Sequence, residues 1–504
     1  MTALTTPATP PAGDALPGNV RADSFTRELW TILLVLCGTV FLEGLDVSMM
    51  GVALPSIRAD LEMSTSSLQW VVSAYVLGYG GFVLVGGRAA DLLGRRRVFL
   101  AALAVFIAFS GLGGLAPDGW VLILARFATG VAAGFLTPAS LSIITTTFAE
   151  GERRNRALLV YGGAGAAGFS LGMVVGGLLS AIDWRWVFFA PVLFAALLFA
   201  VAVRRLPLDR AVAVPLATAV GGRRVDAIGA LTLTAGMLLL VMGVVRAPDV
   251  AGVVTATTLA VSVALLASFV AVERRSAAPL VRLGIFRSAS LVRADLGAML
   301  FVGSFVGFQF IAVLYLQELR EWSALETGLA LMVAGIDAVI APTLTPVLVR
   351  RYGNLRVLFA GALIAVAAYL AFLPVQDDWA YPMMLPSLIL IGLAFSFAFG
   401  PLTIAATDGI DESEQGLASA LFNASVQFGA ALVLAVVTAV NVVTTGDDPT
   451  PDAMLDGYRT ALIVPIVGVT LAALITTTGL RRARPRRGSD PIGEEPEGSD
   501  ALVA

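Results

Sequence analysis

The chain has 504 residues, 58% of them hydrophobic and only 14% charged, with a net charge of -3 and a mean hydropathy of +0.87. Globular chains carry about 25% charged residues, so this composition excludes a water-soluble enzyme or nucleic-acid-binding module and indicates a polytopic membrane protein. All 33 basic residues are arginine, histidine is absent and Cys37 is the one cysteine. These absences remove a Walker A loop, a Schiff-base lysine, a Ser-His pair, a histidine zinc site and an internal disulfide.

Residues 1–29 are rich in Thr, Pro and Ala and read as a disordered cytoplasmic tail, with no signal-peptide core. Apolar runs of about 20 residues then follow, the length that crosses a bilayer. The first runs from Trp30 to Ala53, the second from Leu68 to Gly87 and the third from Val98 to Leu115. Next come Trp120 to Thr145, Ala157 to Ala181 and Trp186 to Val203. After a polar linker, two more lie at 227–245 and 253–272. The last six fall near 291–316, 327–349, 355–374, 382–406, 416–443 and 459–479. The expected fold is therefore all-α, with about fourteen transmembrane helices.

Arginine placement orients them. Clusters at Arg95–Arg97, Arg153–Arg156, Arg204–Arg224, Arg274–Arg287, Arg350–Arg356 and Arg481–Arg487 fall after even-numbered spans. Positive loops face the cytoplasm, so both termini are expected inside, in a multi-pass protein of the plasma membrane. The loop after span twelve, with Asp408, Asp411, Glu412 and Glu414, is acidic and departs from the pattern. An internal repeat supports the count: Gly94, Arg97 and Val98 recur as Gly353, Arg356 and Val357 at one constant offset. The expected organisation is an N-terminal six-helix bundle over 30–205, a linker with two extra helices over 206–287, a C-terminal six-helix bundle over 288–480 and a disordered tail over 481–504. Repeated halves with a site between them are a transporter pattern.

Four motifs carry a family resemblance over about residues 30–480. Leu45-Asp46 through Val52-Ala53-Leu54-Pro55 resembles the first-helix motif of the fourteen-helix drug:proton antiporter branch of the major facilitator superfamily. Gly87-Arg88-Ala89-Ala90-Asp91-Leu92-Leu93-Gly94-Arg95-Arg96 resembles the superfamily's loop 2–3 motif, with Leu92 where a basic residue is usual. Leu122 to Gly130, containing Arg126, resembles the fourth-helix motif, with Thr129 in place of the common glutamine. Gly168 to Gly177 resembles the fifth-helix antiporter motif, with Met173 in the proline position. Trp184-Arg185-Trp186 also looks like this branch. The resemblance implies a major facilitator fold that rocks two bundles around a midplane cavity. It implies a non-enzymatic, proton-coupled exporter of hydrophobic, cationic small molecules such as drugs or antibiotics. No cofactor is expected beyond the proton gradient, and the expected partners are small-molecule cargo, protons and the lipid bilayer, with no nucleic acid and a monomeric state. A transporter of another cargo (lipid, siderophore or metabolite) and a non-transporting receptor are the alternatives.

The candidate residues follow from cost and position. A charge at mid-bilayer costs roughly 2.5–3.5 kcal/mol on insertion scales, which makes intramembrane acids functional candidates. Glu43 and Asp46 lie three apart on one helix, so they share a face. Competition between a proton and a cation for such a carboxylate is the simplest coupling of antiport. Arg126 needs a carboxylate or carbonyl partner and joins them as a proton-coupling candidate. Asp337, mid-span beside Gly335 and Pro342, is a candidate cargo contact. So are Tyr75, Tyr79, Phe305, Gln309, Asn423 and Gln427, because aromatics with a few amides suit a pocket for bulky amphipathic compounds. Asp91, Arg95 and Arg97, with Glu152, Arg153 and Arg156, form charge clusters at cytoplasmic helix ends and are candidate gates. The Gly168/Gly172/Gly176 and Gly130/Gly134 faces predict close helix packing. Helices seven and eight are expected to be peripheral.

Overall fold

A computed structural model describes residues 26–148, 152–207, 227–247, 250–276, 279–411, 414–446 and 450–482. Most of the expected disordered tails and of the first linker lies outside these residues, while residues 27–29 and 481–482, expected in the tails, belong to the first and last helices.

In hydrocarbon every backbone N–H and C=O must be satisfied within the protein, and helices do this segment by segment. Among the described residues fourteen helices are long and apolar enough to cross a membrane. The first six are α1 (Arg27–Asp60), α2 (Thr65–Leu93), α3 (Arg95–Gly114), α4 (Gly119–Thr147), α5 (Glu152–Ser180) and α6 (Trp186–Arg205). Then come α7 (Ala227–Val245), α8 (Gly252–Arg275) and α9 (Ala289–Leu314), whose end continues as a π turn, Tyr315–Leu319. The tenth, α10, is broken into Ala324–Leu331, a 3-10 stretch Met332–Ile336, Asp337–Thr343 and Thr345–Tyr352. The last four are α11 (Asn354–Phe372), α12 (Tyr381–Thr407), α13 (Gln415–Thr445) and α14 (Pro451–Arg482). Several helices outrun the apolar segment read from sequence, because a helix continues past the hydrocarbon into the polar interface.

The break in α10 has two visible causes. Pro342 lacks the N–H that would bond back along the helix. Gly335 lies against α5, where an added Cβ would sit 2.5 Å from the Ser170 hydroxyl. That hydroxyl donates to the Gly335 carbonyl at 3.3 Å.

The internal repeat is longer in three dimensions than in the sequence. The shift that carries Gly94 onto Gly353 also carries the start of α2, Thr65, onto the start of α10, Ala324. It carries the N-cap Ser64 onto the N-cap Ser323. It carries Glu62 (φ 50°) onto Glu321 (φ 56°), the two non-glycine residues with positive φ among the described residues. Gly94 and Gly353 have φ of 98° and 86°, a conformation that glycine alone adopts without strain. The two halves therefore reverse direction by the same backbone device at both ends of their second helices.

Within the N-terminal bundle α1 packs on α5, and α2 on α4. Glycines set the distance, as the repeated small-residue faces predict. An added Cβ at Gly172 would lie 2.7 Å from the Leu45 carbonyl, and one at Gly134 would lie 2.9 Å from the Tyr79 carbonyl. Two seams join the bundles, α2 against α13 on one flank and α5 against α10 on the other. Helix α7 corrects the expectation that helices seven and eight are both peripheral. It packs on α2 and α13 together and so covers the first seam, with Thr234 pressed on Gly81. Only α8 is peripheral. It leans on α7, where the Ser262 hydroxyl donates to the Gly236 carbonyl at 2.8 Å, and the rest of its surface is left open.

Candidate functional site

The acids on α1 lie inside the N-terminal bundle, each with a partner on α4. Arg126 Nη1 donates to Asp46 Oδ2 at 2.7 Å. Arg126 Nε donates to the Val71 carbonyl of α2 at 3.2 Å, and the guanidinium lies 4.4 Å from the centre of the Tyr75 ring. Both charged groups are enclosed, Arg126 at 2% exposure and Asp46 at 0%. A guanidinium is the cation suited to this setting, since its planar donors serve a carboxylate, a carbonyl and an aromatic face at once. The second Asp46 oxygen, Oδ1, has no hydrogen-bond partner among the described residues.

One turn away the Thr137 hydroxyl lies 2.9 and 2.8 Å from the two oxygens of Glu43. A hydroxyl has one proton and two lone pairs. Thr137 can thus donate to Glu43 while it accepts from the Tyr79 hydroxyl at 2.9 Å. Tyr79, Thr137 and Glu43 form a chain of three exchangeable groups across α2, α4 and α1. Sequence reasoning missed Thr137, which looks like one more hydroxyl in an apolar helix. Its spacing from Arg126, three turns along α4, is the signal that would have found it. Thr129, in the position of the usual glutamine, bonds its own helix at the Arg126 carbonyl, 2.9 Å away.

The candidate cargo residues separate into two groups. Tyr75 and Tyr79, expected on a cavity wall, are 1% and 7% exposed and belong to the carboxylate network. Their faces of α2 are turned onto α4, against Gly130 and Gly134. Phe305 and Gln309 line a narrow cleft between the bundles with Met173, Leu331 and Ala334. Met173, in the place of the motif's proline, therefore lies where the halves meet. Phe305 also heads a row of rings: its centroid is 5.2 Å from Phe395, which stacks at 5.1 Å on Phe399. Phe169 of α5 meets the Phe305 ring at 6.0 Å from across the interface. Gln427 faces Gly80 on the α2–α13 seam. Asn423 is half-buried and donates to the Ser419 carbonyl of its own helix at 2.9 Å. Asp337 is half-buried and not free of partners, at the head of the α10 segment that follows the 3-10 break.

At the opposite pole, where α1 begins and α14 ends, lie the helix ends that carry the candidate gate residues. Arg97 is exposed, and Arg95, Arg153 and Arg156 all hold contacts. The side chains of Asp91 and Glu152 lie outside the described residues. Two buried acids lie elsewhere. The Glu273 carboxylate accepts from the Val281 amide at 3.1 Å and ties down the linker before α9. Asp295 in α9 is buried with Oδ1 unpartnered among the described residues.

Comparison with known proteins gives a consistent picture. The sequence profile of the Major Facilitator Superfamily matches residues 36–434. The chain is 35% identical to the puromycin resistance protein pur8 of Streptomyces alboniger, over 88% of this chain and 90% of that one. It is 34% identical to the cephamycin export protein CmcT of Amycolatopsis lactamdurans, over 90% and 93%. Among solved structures, an auto-inhibited peptide transporter of the POT family superposes with a TM-score of 0.63 at 16% identity, covering 91% of this chain and 99% of that one. The nucleoside transporter NupG superposes at 0.62 with 12% identity, covering 89% and 98%. At such identities the structural likeness speaks for the fold alone.

Proposed function

The chain belongs to the Major Facilitator Superfamily, and from that premise we propose that it exports hydrophobic small molecules of the antibiotic kind in exchange for protons. The resistance and export functions named for the relatives support the cargo class. The observation that carries the coupling is the placement of both α1 acids inside one bundle, each bonded to α4. A proton arriving at Asp46 cancels the charge that holds Arg126, while Val71 and Tyr75 keep the guanidinium on α2. Protonation thus loosens α1 from α4 without releasing Arg126. A local charge change of this kind can bias a bistable element, here the relative tilt of two bundles. At Glu43 the Thr137 hydroxyl turns as the carboxylate gains or loses its proton, and Tyr79 follows.

Cargo meets a different chemistry. The Phe305, Phe395 and Phe399 rings offer apolar faces toward the interface, and Gln309 offers a hydrogen-bonding amide. Asp46 and Glu43 are enclosed and bonded within the bundle, which leaves the half-buried Asp337 as the acid for a cationic cargo. The arginine clusters at the end where α1 begins favour the cytoplasm for that end. Both bundles come from one chain, so a monomer suffices.

Transport into inverted membrane vesicles tests the reading. Puromycin-like and cephamycin-like compounds should accumulate when an inward-acid gradient is imposed, and a protonophore should stop them. Uptake that continues after the gradient collapses would replace proton exchange with another driving ion or with facilitated diffusion.

A further inference from the structure

At the end of the bundles where α1 finishes and α2 begins, α1 reaches across to the opposite half. Arg58 Nη1 lies 2.7 Å from both carboxylate oxygens of Glu318. Each partner is anchored in its own bundle. Two residues beyond Arg58, Asp60 accepts from Arg185 Nη1 at 2.7 Å and from Trp184 Nε1 at 3.0 Å, which ties the end of α1 to the α5–α6 turn. This gives the Trp184-Arg185 motif a structural purpose. Glu318 sits on the π turn Tyr315–Leu319, a helix irregularity frequent at functional sites. That turn is bound to the C-terminal bundle: the Tyr315 hydroxyl donates to the Gln376 carbonyl, and Arg320 Nη1 donates to the Trp379 carbonyl, both at 2.6 Å. Tyr458 of α14 lies beside the ion pair.

The repeat makes the contact reciprocal. The shift that carries Glu62 onto Glu321 carries Arg58 onto Gln317, and Gln317 also crosses. Its Nε2 donates to the Val52 carbonyl of α1 at 2.9 Å. Equivalent positions of the two halves therefore each grip the other half.

Below this contact the α2–α13 seam is poorly satisfied. Gln69 and Ser73 share the α2 face of Gly80, which packs on Gln427 and Phe428 of α13. Thr438 lies three helical turns from Gln427 on the same face of α13. Gln69, Ser73 and Thr438 are wholly buried, and their side-chain polar atoms have no hydrogen-bond partner among the described residues. Buried polar groups in that condition disfavour the closed seam, and water would satisfy them once it parts.

We propose that Arg58 and Glu318, with Gln317, form the outer gate of the transport cycle. They hold shut a seam that opens by hydration when the ion pair breaks. The inference rests on the chain working as an alternating-access transporter, and it is independent of which compound is carried. It is tested in a Cys37→Ser background carrying Ser73→Cys, with whole cells treated with a membrane-impermeant maleimide. Thr438→Cys serves as the second reporter if Ser73→Cys does not fold. Arg58→Ala and Glu318→Gln should each speed labelling roughly tenfold, as expected for loss of a charged hydrogen-bonded pair. The charge-exchanged double variant, Arg58→Glu with Glu318→Arg, should bring labelling back toward the parent rate. Equal rates in parent and single variants would overturn the proposal, and so would a double variant as reactive as the singles. Labelling needs no cargo, so a wrong cargo assignment leaves this test standing.

Discussion

Arg126 of α4 and Asp46 of α1 meet at 2.7 Å in a part of the bundle that solvent does not reach. Taking one partner away from such a pair leaves a bare charge in a low-dielectric interior and costs roughly 3–5 kcal/mol. Arg126→Leu should therefore lower the unfolding temperature of detergent-purified protein. Asp46→Asn keeps hydrogen bonding to the guanidinium but has no carboxylate to titrate. It should reach the membrane and lose proton-driven efflux. Full efflux by Asp46→Asn would remove this acid from the coupling machinery.

Thr137 tests the second acid. Thr137→Val keeps the side-chain shape and removes the hydroxyl between Glu43 and Tyr79. A buried polar group left unsatisfied costs about 1–3 kcal/mol, so stability should fall by that order. The pH dependence of vesicle transport should change in the same direction as in Glu43→Gln. A profile that moves in Glu43→Gln and stays fixed in Thr137→Val would show that the hydroxyl only packs.

The α1–α5 contact predicts opposite outcomes for two glycines of α5. An added Cβ at Gly168 collides with the Phe41 backbone of α1, whereas Gly163 has nothing within 4 Å of its Cβ position. Gly168→Ala should lose about 1–3 kcal/mol through overpacking. Gly163→Ala should gain roughly 0.5–1 kcal/mol, since alanine has less backbone freedom to lose in a helix. Thermal unfolding of the two purified variants reads this directly.

Phe305 and Phe395 are the rings to change for selectivity. Phe305→Ala should raise the apparent KM for aromatic cargo more than for small polar antibiotics, because stacking area is lost and the carboxylate network is untouched. Parallel dose–response curves across several compounds check it. A uniform loss across all compounds would point to a packing role.

Covering the α2–α13 seam gives α7 a checkable role as well. Thr234 lies directly on Gly81, so Thr234→Leu should force α7 off the seam. Lower export with an intact membrane level is the expected outcome. Normal export would show that transport does not need α7 seated on the seam.

Sequence alone determined the span count, the two equivalent halves and the presence of costly acids in α1. Hydrocarbon imposes length and apolarity on each crossing segment, and the price of a mid-bilayer charge makes each acid stand out. The repeat was legible at Gly94 and Gly353 because a positive φ demands glycine there. It was hidden at Glu62 and Glu321, where glutamates take a positive φ of 50° and 56° and no glycine marks the turn. The tertiary structure decided which groups meet. Asp46 finds Arg126 of α4 eighty positions away, Glu43 finds Thr137 on α4 as well, and Tyr75 and Tyr79 turn into the bundle instead of the cavity. It also placed Arg58 against Glu318, since neither residue interrupts an apolar run and nothing local marks them as a pair. Local physics reads a residue's cost in the membrane from its type and depth, but the partner that offsets that cost is set by how the helices cross.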